Sequence, residues 1–405
     1  MHYSTFWIFS LILFFSPLLF GADLWQVLLP VQVLIFLAFI IDYKNFCSRV
    51  SDHNIPKYLF IPWILLTLIL FLSCIFSVNF NVSVSFITYY LAVSACFLLA
   101  SQGRISDGQI YYLCLIMIAA ADLQAVITFL QKMNFLPHDH WNPTDFPAGT
   151  FFTHNHLAGL LEITLPVVIS FIFFNPWKNK KFFNVLLVIS LLLQMSGLIL
   201  SESRAGWIGF ASGFVFFLIF GLKKIKFGRF IVLVLVLIAT VTVFFSYNER
   251  VYERFSTFLD LNKDVSFQIR PRYWKTTLDI IREHPLLGTG PGTFPVVFPQ
   301  YRPADTDMRG YVNQPHNDYL GWMAETGFLS FPCILAVFLF FVIRVLRAKT
   351  HTNPLVIAAG TAVLSTGVHS LVDYNLRIPA LAFYLAILAG LSFSGVNPVR
   401  VKAAG

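Results

Sequence analysis

Apolar runs long enough to cross a lipid bilayer recur along most of this sequence, and they limit its fold more than any other feature. A membrane-crossing helix needs about 20 mostly apolar residues. About twelve such runs occur in the 405 residues, of which only 12% are charged. The sequence therefore predicts an all-α polytopic membrane protein with about twelve transmembrane helices. These cover residues 4–21, 24–41, 58–77, 84–101, 110–131, 156–174, 183–200, 205–221, 229–246, 317–343, 354–371 and 379–395.

Positive charge is distributed unequally between the two sets of short connections. One set carries 16 Lys and Arg residues, whereas the opposite loops and helix ends carry only Lys132, Arg204 and Arg377. Basic residues favour cytoplasmic loops, so both termini are predicted to be cytoplasmic. Within a single membrane domain of residues 1–405, residues 132–155 then form a short periplasmic loop. Residues 247–316 form a long periplasmic loop between spans nine and ten.

The long loop has the sequence of a folded segment. Proline is favoured in the first turn of a helix, so Pro271 predicts a helix over residues 271–283. The side chains of Tyr273, Trp274, Leu278 and Ile281 would give this helix an apolar side. His284-Pro285 and the glycines that follow predict its end. Long loops of this kind usually carry function, so we expect the chemistry on the periplasmic side.

Three arginines are candidates for binding phosphate groups. Arg204 begins the helix that follows a predicted periplasmic turn, and Arg270 and Arg272 begin the predicted loop helix. A guanidinium group can bind phosphate through paired hydrogen bonds, and helix N-termini also favour anions. The alternatives are an interfacial contact with lipid headgroups for Arg204 and a solvated basic surface for Arg270 and Arg272.

Two histidines and an aspartate are candidates for proton transfer. His316 enters a helix from the long loop in the segment Gln314-Pro315-His316-Asn317-Asp318. A histidine there could act as a general base at neutral pH; the alternative is helix capping. His369 and Asp373, four residues apart, could share a helix face. Asp373 would then orient a histidine, hold an acceptor hydroxyl or simply cap a turn.

Two His-x-His pairs raise the alternative of a metal site. His138 and His140 lie in the same predicted loop as His154 and His156. Without cysteines or a helical i, i+4 pair, this is a weak zinc pattern, so no metal and no cofactor are predicted. Asp122 and Glu162 lie inside predicted spans, where they indicate either function or hydrogen bonding between helices.

Several short motifs together resemble the O-antigen ligase/polymerase superfamily. The resemblance covers about residues 150–378, and the motifs follow the family's order along the chain. They are Ser203-Arg204-Ala205-Gly206, the arginine pair before Tyr273-Trp274, residues 284–294, His316-Asn317-Asp318-Tyr319-Leu320, Glu325-Thr326-Gly327 and residues 369–376.

This resemblance implies a membrane glycosyltransferase of the GT-C-like type. Its activity would be transfer of an O-antigen-like glycan from undecaprenyl diphosphate to an acceptor hydroxyl, most simply on lipid A–core. The site would face the periplasm in the inner membrane of a bacterium, and no nucleic acid would take part. His316 would activate the acceptor, while Arg204 and either Arg270 or Arg272 would bind the diphosphate. The neighbouring candidates for substrate binding are Asp373, His369, Asn317, His156 and Trp274.

The implied chemistry is metal-independent, and direct displacement by the acceptor would invert the anomeric configuration. Two alternatives remain within the superfamily, an O-antigen polymerase and a protein O-oligosaccharyltransferase. A more distant alternative is a twelve-helix secondary transporter, favoured by Asp122, Glu162 and Glu325 within or near spans. Against transport, the long connection lies between spans nine and ten, and no internal repeat is visible.

Overall fold

Helices account for the regular structure of the described part of the chain. The computed structural model describes residues 3–48, 57–102, 105–136, 146–174, 181–221, 227–257, 265–302, 312–347 and 354–394. These ranges contain sixteen α-helices and no strand. They are α1 (Tyr3–Leu18), α2 (Trp25–Ser48), α3 (Lys57–Ile75), α4 (Phe80–Ser101), α5 (Asp107–Lys132), α6 (His154–Phe174), α7 (Lys181–Leu200), α8 (Arg204–Gly221), α9 (Phe227–Tyr247), α10 (Glu249–Ser256), α11 (Val265–Glu283), α12 (Phe294–Tyr301), α13 (Asp318–Thr326), α14 (Phe331–Arg347), α15 (Pro354–His369) and α16 (Pro379–Leu391).

The helices fit a polytopic membrane protein. Among the described residues, six helices are long and apolar enough to cross a membrane, namely α2 and α4 to α8. Shorter apolar segments lie in α1, α3, α9, α14, α15 and α16. Apolar side chains such as Trp7, Ile40 and Ile75 are more than 60% exposed, as expected for surfaces in contact with lipid acyl chains. The number of crossings and the side of each terminus stay predictions.

The predicted span over residues 317–343 is not one continuous helix. It divides into α13 and α14 at Gly327, whose φ of +72° ends α13. A Cβ atom at Gly327 would lie 2.0 Å from the carbonyl oxygen of Leu286, so the chain there has no room for a side chain. Hydrophobicity alone did not reveal this interruption, because apolar residues continue on both sides of the short Glu325-Thr326-Gly327 segment.

The described part of the long loop has its own apolar core. Helices α11, α12 and α13 bury a cluster formed by Ile280, Ile281, Phe294, Val297, Phe298 and Ala324. The loop helix differs from the prediction at its start. Helix α11 begins at Val265, so Pro271 lies inside the helix rather than in its first turn. Consequently Arg270 and Arg272 do not lie at a helix N-terminus.

Close packing of α15 against α6 and α8 brings the candidate residues to one end of the bundle. A Cβ atom at Gly213 of α8 would lie 2.0 Å from Oγ of Ser365 in α15. Small residues allow such close approach of membrane helices. The start of α6, the turn between α7 and α8, and the connection after α15 therefore meet.

Glu325 fixes the loop core to that same end of the bundle. Its buried carboxylate accepts hydrogen bonds from the backbone N–H groups of Gly292 (2.8 Å) and Phe294 (3.1 Å). Arg377 donates to the same carboxylate at 2.6 Å, and its guanidinium lies over the ring of Phe86. The residues of the Glu325-Thr326-Gly327 motif thus have a structural part in joining the loop to the membrane helices.

Candidate active site

Asp373 is the centre of the polar cluster at this end of the bundle. Its side chain is 1% exposed and lies in the turn that follows α15. Four groups donate to it: His316 Nδ1 (3.2 Å) and the Tyr374 backbone N–H (2.9 Å) to Oδ1, and Asn155 Nδ2 (2.5 Å) and Arg270 Nη2 (3.4 Å) to Oδ2. A carboxylate offers about four lone-pair positions. These contacts use them all, which favours an orienting role for Asp373 over binding of an acceptor hydroxyl.

The surroundings of Asp373 also keep it ionised. Burial alone would raise the pKa of this carboxyl, but the nearby His316 and Arg270 hold the pKa well below its usual range. A carboxylate can only accept hydrogen bonds. The Nδ1 atom of His316 must therefore carry the proton that points at Asp373.

His316 is held in a defined orientation. Its ring lies nearly parallel to that of Tyr273 at a centroid distance of 6.1 Å, and edge-on to Tyr374 at 5.1 Å. Its backbone φ is +52°, a conformation that non-glycine residues rarely adopt and that concentrates at functional sites. In the neutral imidazole with the proton on Nδ1, the Nε2 atom is the proton acceptor.

The residues beside His316 anchor it to the turn after α15. Asn317 caps α13 through the Leu320 N–H and donates to the carbonyl oxygen of Leu371 at 2.8 Å. Asp318 accepts from Ser370 Oγ at 2.7 Å. The indole of Trp274 donates to the carbonyl oxygen of Pro315 at 3.0 Å. Asn317 and Trp274, expected to bind substrate, thus contact the backbone that positions His316.

The two loop arginines have different surroundings. Arg270 contacts Asp373 and its side chain is 17% exposed, whereas Arg272 is exposed. Residues two apart on an α-helix point about 200° away from each other. Because α11 begins before both, Arg270 and Arg272 cannot both face the cluster. The geometry favours Arg270 as the residue that takes part in the site.

Arg204 begins α8 on another side of the cluster. Its Nη1 donates to Thr257 Oγ1 at 2.9 Å, just after α10. The preceding Glu202 is buried, has a φ of +55°, and pairs with Lys132 (3.1 Å) and Arg250 (3.4 Å). Ser203 joins this turn to Asp373 through Asn155, because Ser203 Oγ donates to Asn155 Oδ1 at 2.7 Å.

The remaining histidine candidates lie further inside. His156 is buried and meets the ring of Tyr374 edge-on at 5.1 Å. His369 is the last residue of α15, and its Nδ1 lies 3.2 Å from Glu162 Oε1 in the protein interior. The predicted shared helix face of His369 and Asp373 is wrong, since α15 ends before Asp373. Asp122, in contrast, accepts hydrogen bonds from Ser190 and Gln194 of α7. These contacts fit the alternative interpretation of Asp122, which is hydrogen bonding between membrane helices.

The His-x-His pairs do not form a metal cluster in the described ranges. His138 and His140 lie outside the described residues. His154 is hydrogen-bonded through Nδ1 to the carbonyl oxygen of Ser201 at 2.6 Å and stacks on Phe146. No group of three or more His, Cys, Asp or Glu side chains that could hold a metal ion occurs in the part of the chain that the structure describes.

Sequence reasoning missed Asn155 and Tyr374, both of which contact the pair formed by His316 and Asp373. Asn155 lies between the two histidines of a His-x-His pair, and that pattern drew attention to metal binding. Tyr374 follows Asp373 directly and was not distinguished from the many other aromatic residues. Only contacts between segments distant in the sequence identify these two residues.

Comparison with protein families adds independent information. Residues 189–335 match a family model described as O-Antigen ligase. The resemblance to the O-antigen ligase/polymerase superfamily is confirmed. The match includes Arg204, Arg270, Arg272 and His316, and it ends before Asp373. No curated protein matched the chain.

Proposed function

We propose that the protein transfers a glycan from undecaprenyl diphosphate to an acceptor hydroxyl of lipid A–core, at the periplasmic face of the inner membrane. The family match supports an activity of the O-antigen ligase/polymerase type in general. The observation that carries the proposal is the contact of His316 and Arg270 with one buried carboxylate at the end of an apolar helical bundle.

The pair of His316 and Asp373 fits activation of an acceptor hydroxyl. Asp373 accepts the Nδ1 proton, so the Nε2 atom of His316 takes the hydroxyl proton as the oxygen attacks the sugar. General-base catalysis of this kind contributes about 10²–10⁴-fold in rate. The side chain of His316 is 32% exposed, which gives a substrate access to it.

Arg204 and Arg270 fit the donor side of the reaction. The bond between the sugar and the diphosphate oxygen breaks as the acceptor oxygen bonds to the anomeric carbon. Negative charge then grows on the departing undecaprenyl diphosphate. Fixed guanidinium donors stabilise such charge, each contributing about 10²–10³-fold in rate. Attack from the face opposite the leaving group inverts the anomeric configuration.

Deletion of the gene, followed by separation of lipopolysaccharide and lipid-linked glycans, tests this proposal. We expect core without long glycan, together with accumulation of polymer on undecaprenyl diphosphate. Single repeat units remaining on the core would instead establish a polymerase. Unchanged lipopolysaccharide with loss of protein-bound glycan would establish a protein O-oligosaccharyltransferase. Restoration by the wild-type gene, but not by a His316→Ala copy, controls for indirect effects.

A further inference from the structure

Asn155 connects Asp373 to the turn before α8 through both ends of its side-chain amide. It is the second residue of α6, and its Nδ2 donates to Asp373 Oδ2 while its Oδ1 accepts from Ser203 Oγ at 2.7 Å. The orientation of the amide follows from chemistry, because a carboxylate only accepts hydrogen bonds. Nδ2 must therefore face Asp373, and Oδ1 faces the serine.

Each partner of Asn155 belongs to a different functional segment. Ser203 directly precedes Arg204 and also accepts the backbone N–H of Gly206 at 3.2 Å, so it fixes the start of α8. Asp373 receives Nδ1 of His316 on its other oxygen. A single short side chain thus spans from the turn that presents an arginine to the carboxylate that orients the histidine.

The helix that carries Asn155 gives it a rigid support. Helix α6 is almost entirely buried between its neighbours, and Leu157, Ala158, Leu160 and Leu161 are all 0% exposed. Asparagine also has only two rotatable side-chain bonds, so little conformational entropy is lost when both ends are bonded. These features are those of a residue that holds other groups in place rather than one that contacts substrate.

We propose that Asn155 is a positioning residue that fixes the Asp373 carboxylate, and through it His316, relative to the Arg204 turn. This inference rests on the proposed glycan transfer for its kinetic consequences, but the contact itself does not depend on it. Without Asn155, Oδ2 of Asp373 retains the longer contact with Arg270, at 3.4 Å. The carboxylate can then rotate toward Arg270 and loosen its bond to His316.

The kinetic test compares Asn155→Ala with wild-type protein in lipid nanodiscs, supplied with undecaprenyl-diphosphate-linked glycan and lipid A–core. We expect kcat to fall about 10–100-fold, while the KM for each substrate changes less than about threefold, because a misplaced catalytic group affects the chemical step more than binding. Asn155→Asp, nearly identical in shape, should be at least as impaired because it places a second carboxylate beside Asp373.

Asn79→Ala is the matched control. Asn79 caps α4 by accepting the N–H of Val82 and has no bond to Asp373. The Asn79→Ala variant should have lower thermal stability, whereas its kcat should change by no more than about twofold. If Asn155→Ala does not accumulate, Ser203→Ala removes the other bond of the amide, and a kcat lowered about 3–10-fold supports the same conclusion.

A chemical probe separates this inference from the proposed function. Diethyl pyrocarbonate modifies neutral imidazole, and peptide mass spectrometry measures its rate at His316 without any glycan. We expect this rate to rise at least about threefold in Asn155→Ala and to stay unchanged in Asn79→Ala. A faster rate in a protein that transfers no glycan would overturn the function but keep the positioning role. Unchanged kcat and unchanged labelling, or kcat losses that parallel lost stability in both variants, would overturn the positioning role.

Discussion

His316 and Asp373 lie 57 positions apart in the sequence, and Nδ1 of the histidine is 3.2 Å from Oδ1 of the aspartate. One belongs to the end of the long loop and the other to the turn after α15. The pair forms because Asp318, two residues after His316, donates its backbone N–H to the carbonyl oxygens of Ser370 and Asp373. The fold of the loop therefore determines whether the histidine meets its carboxylate.

We expect His316→Ala to lower glycan transfer about 10²–10⁴-fold, because the acceptor hydroxyl loses its general base. The measurement is transfer by purified protein, normalised to the amount of folded protein. Alanine is strained at the φ of +52° found here. The control is therefore His316→Asn, since asparagine tolerates this conformation better. Equal inactivity of both variants indicates loss of the imidazole; near-normal transfer in either removes His316 from the mechanism.

We expect Asp373→Asn to be similarly inactive. An amide has one accepting oxygen and one donating NH₂ group, so either His316 or Arg270 would lose its acceptor. Because the pKa of Asp373 is lowered in the folded protein, its ionised form stabilises the fold fully at pH values above the ordinary carboxyl pKa of about 3.9. This stabilisation is lost only as the pH falls through the lower native pKa. The activity of Asp373→Asn should therefore be reduced throughout the range from about pH 5 to 8.

Asp279→Asn is the matched control for Asp373. Asp279 forms an exposed ion pair with Arg282 on α11, at 2.7 Å. Exposed ion pairs contribute at most about 1 kcal/mol, so this variant should keep nearly full transfer and stability. If the two asparagine variants behaved alike, Asp373 would have no special role.

Much of the membrane part could be predicted from the sequence, because long apolar runs dictate helices whatever the neighbours do. The helices over residues 84–101, 110–131 and 183–200 were predicted within a few residues of α4, α5 and α7. The interruption at Gly327 was missed because its cause, the Leu286 carbonyl, comes from a distant segment. The start of α11 was missed because proline is favoured in the first turn of a helix and strongly disfavoured further inside, yet Pro271 lies inside α11.

The residues that form the site were easier to predict than the contacts between them. Residue type and position singled out His316, Asp373 and Arg270. Which atoms meet depends on contacts between remote segments, so the direction of His369 toward Glu162 and the bridging role of Asn155 could not be derived. The choice between Arg270 and Arg272 depended on the start of α11, because both residues lie inside this helix and therefore point in different directions.

We expect Arg270→Ala to lower transfer at least about 10²-fold, whereas Arg272→Ala should retain transfer within about threefold. Arg270 contacts Asp373 at 3.4 Å, and Arg272 points about 200° away on the same helix. The measurement is transfer at saturating donor and acceptor. The two variants control for each other, as they remove the same charge from one helix. Equal losses would show that charge, not position, is required.

We expect the long loop to lie on the periplasmic side, as the distribution of basic residues indicates. Gln300 is exposed in α12. A single cysteine introduced there (Gln300→Cys) should react with an impermeant thiol reagent in intact spheroplasts. The background lacks the native cysteines. Lys224→Cys, in a predicted cytoplasmic connection, should react only after lysis. The reverse pattern would overturn the orientation and with it the periplasmic donor.

We expect Arg204→Lys to be severely impaired, with transfer lowered about 10²-fold or more. Lysine keeps the positive charge but lacks the planar paired donors that bind a diphosphate oxygen pair. Arg282→Lys, at an exposed ion pair of α11, is the matched control and should keep nearly full activity. Full transfer by Arg204→Lys would mean that the site needs only a charge there.

The same assay decides between arginines and a metal ion as the group that stabilises the leaving diphosphate. If Arg204 and Arg270 hold it, wild-type protein should keep its activity in excess EDTA, because guanidinium groups are not removed by a chelator. Loss of activity in EDTA and its return with zinc or magnesium would overturn this assignment. His138, His140, His154 and His156 would then be the ligands to test. In that case, alanine variants of these histidines should bind less metal, whereas Arg204→Lys should bind as much as wild type.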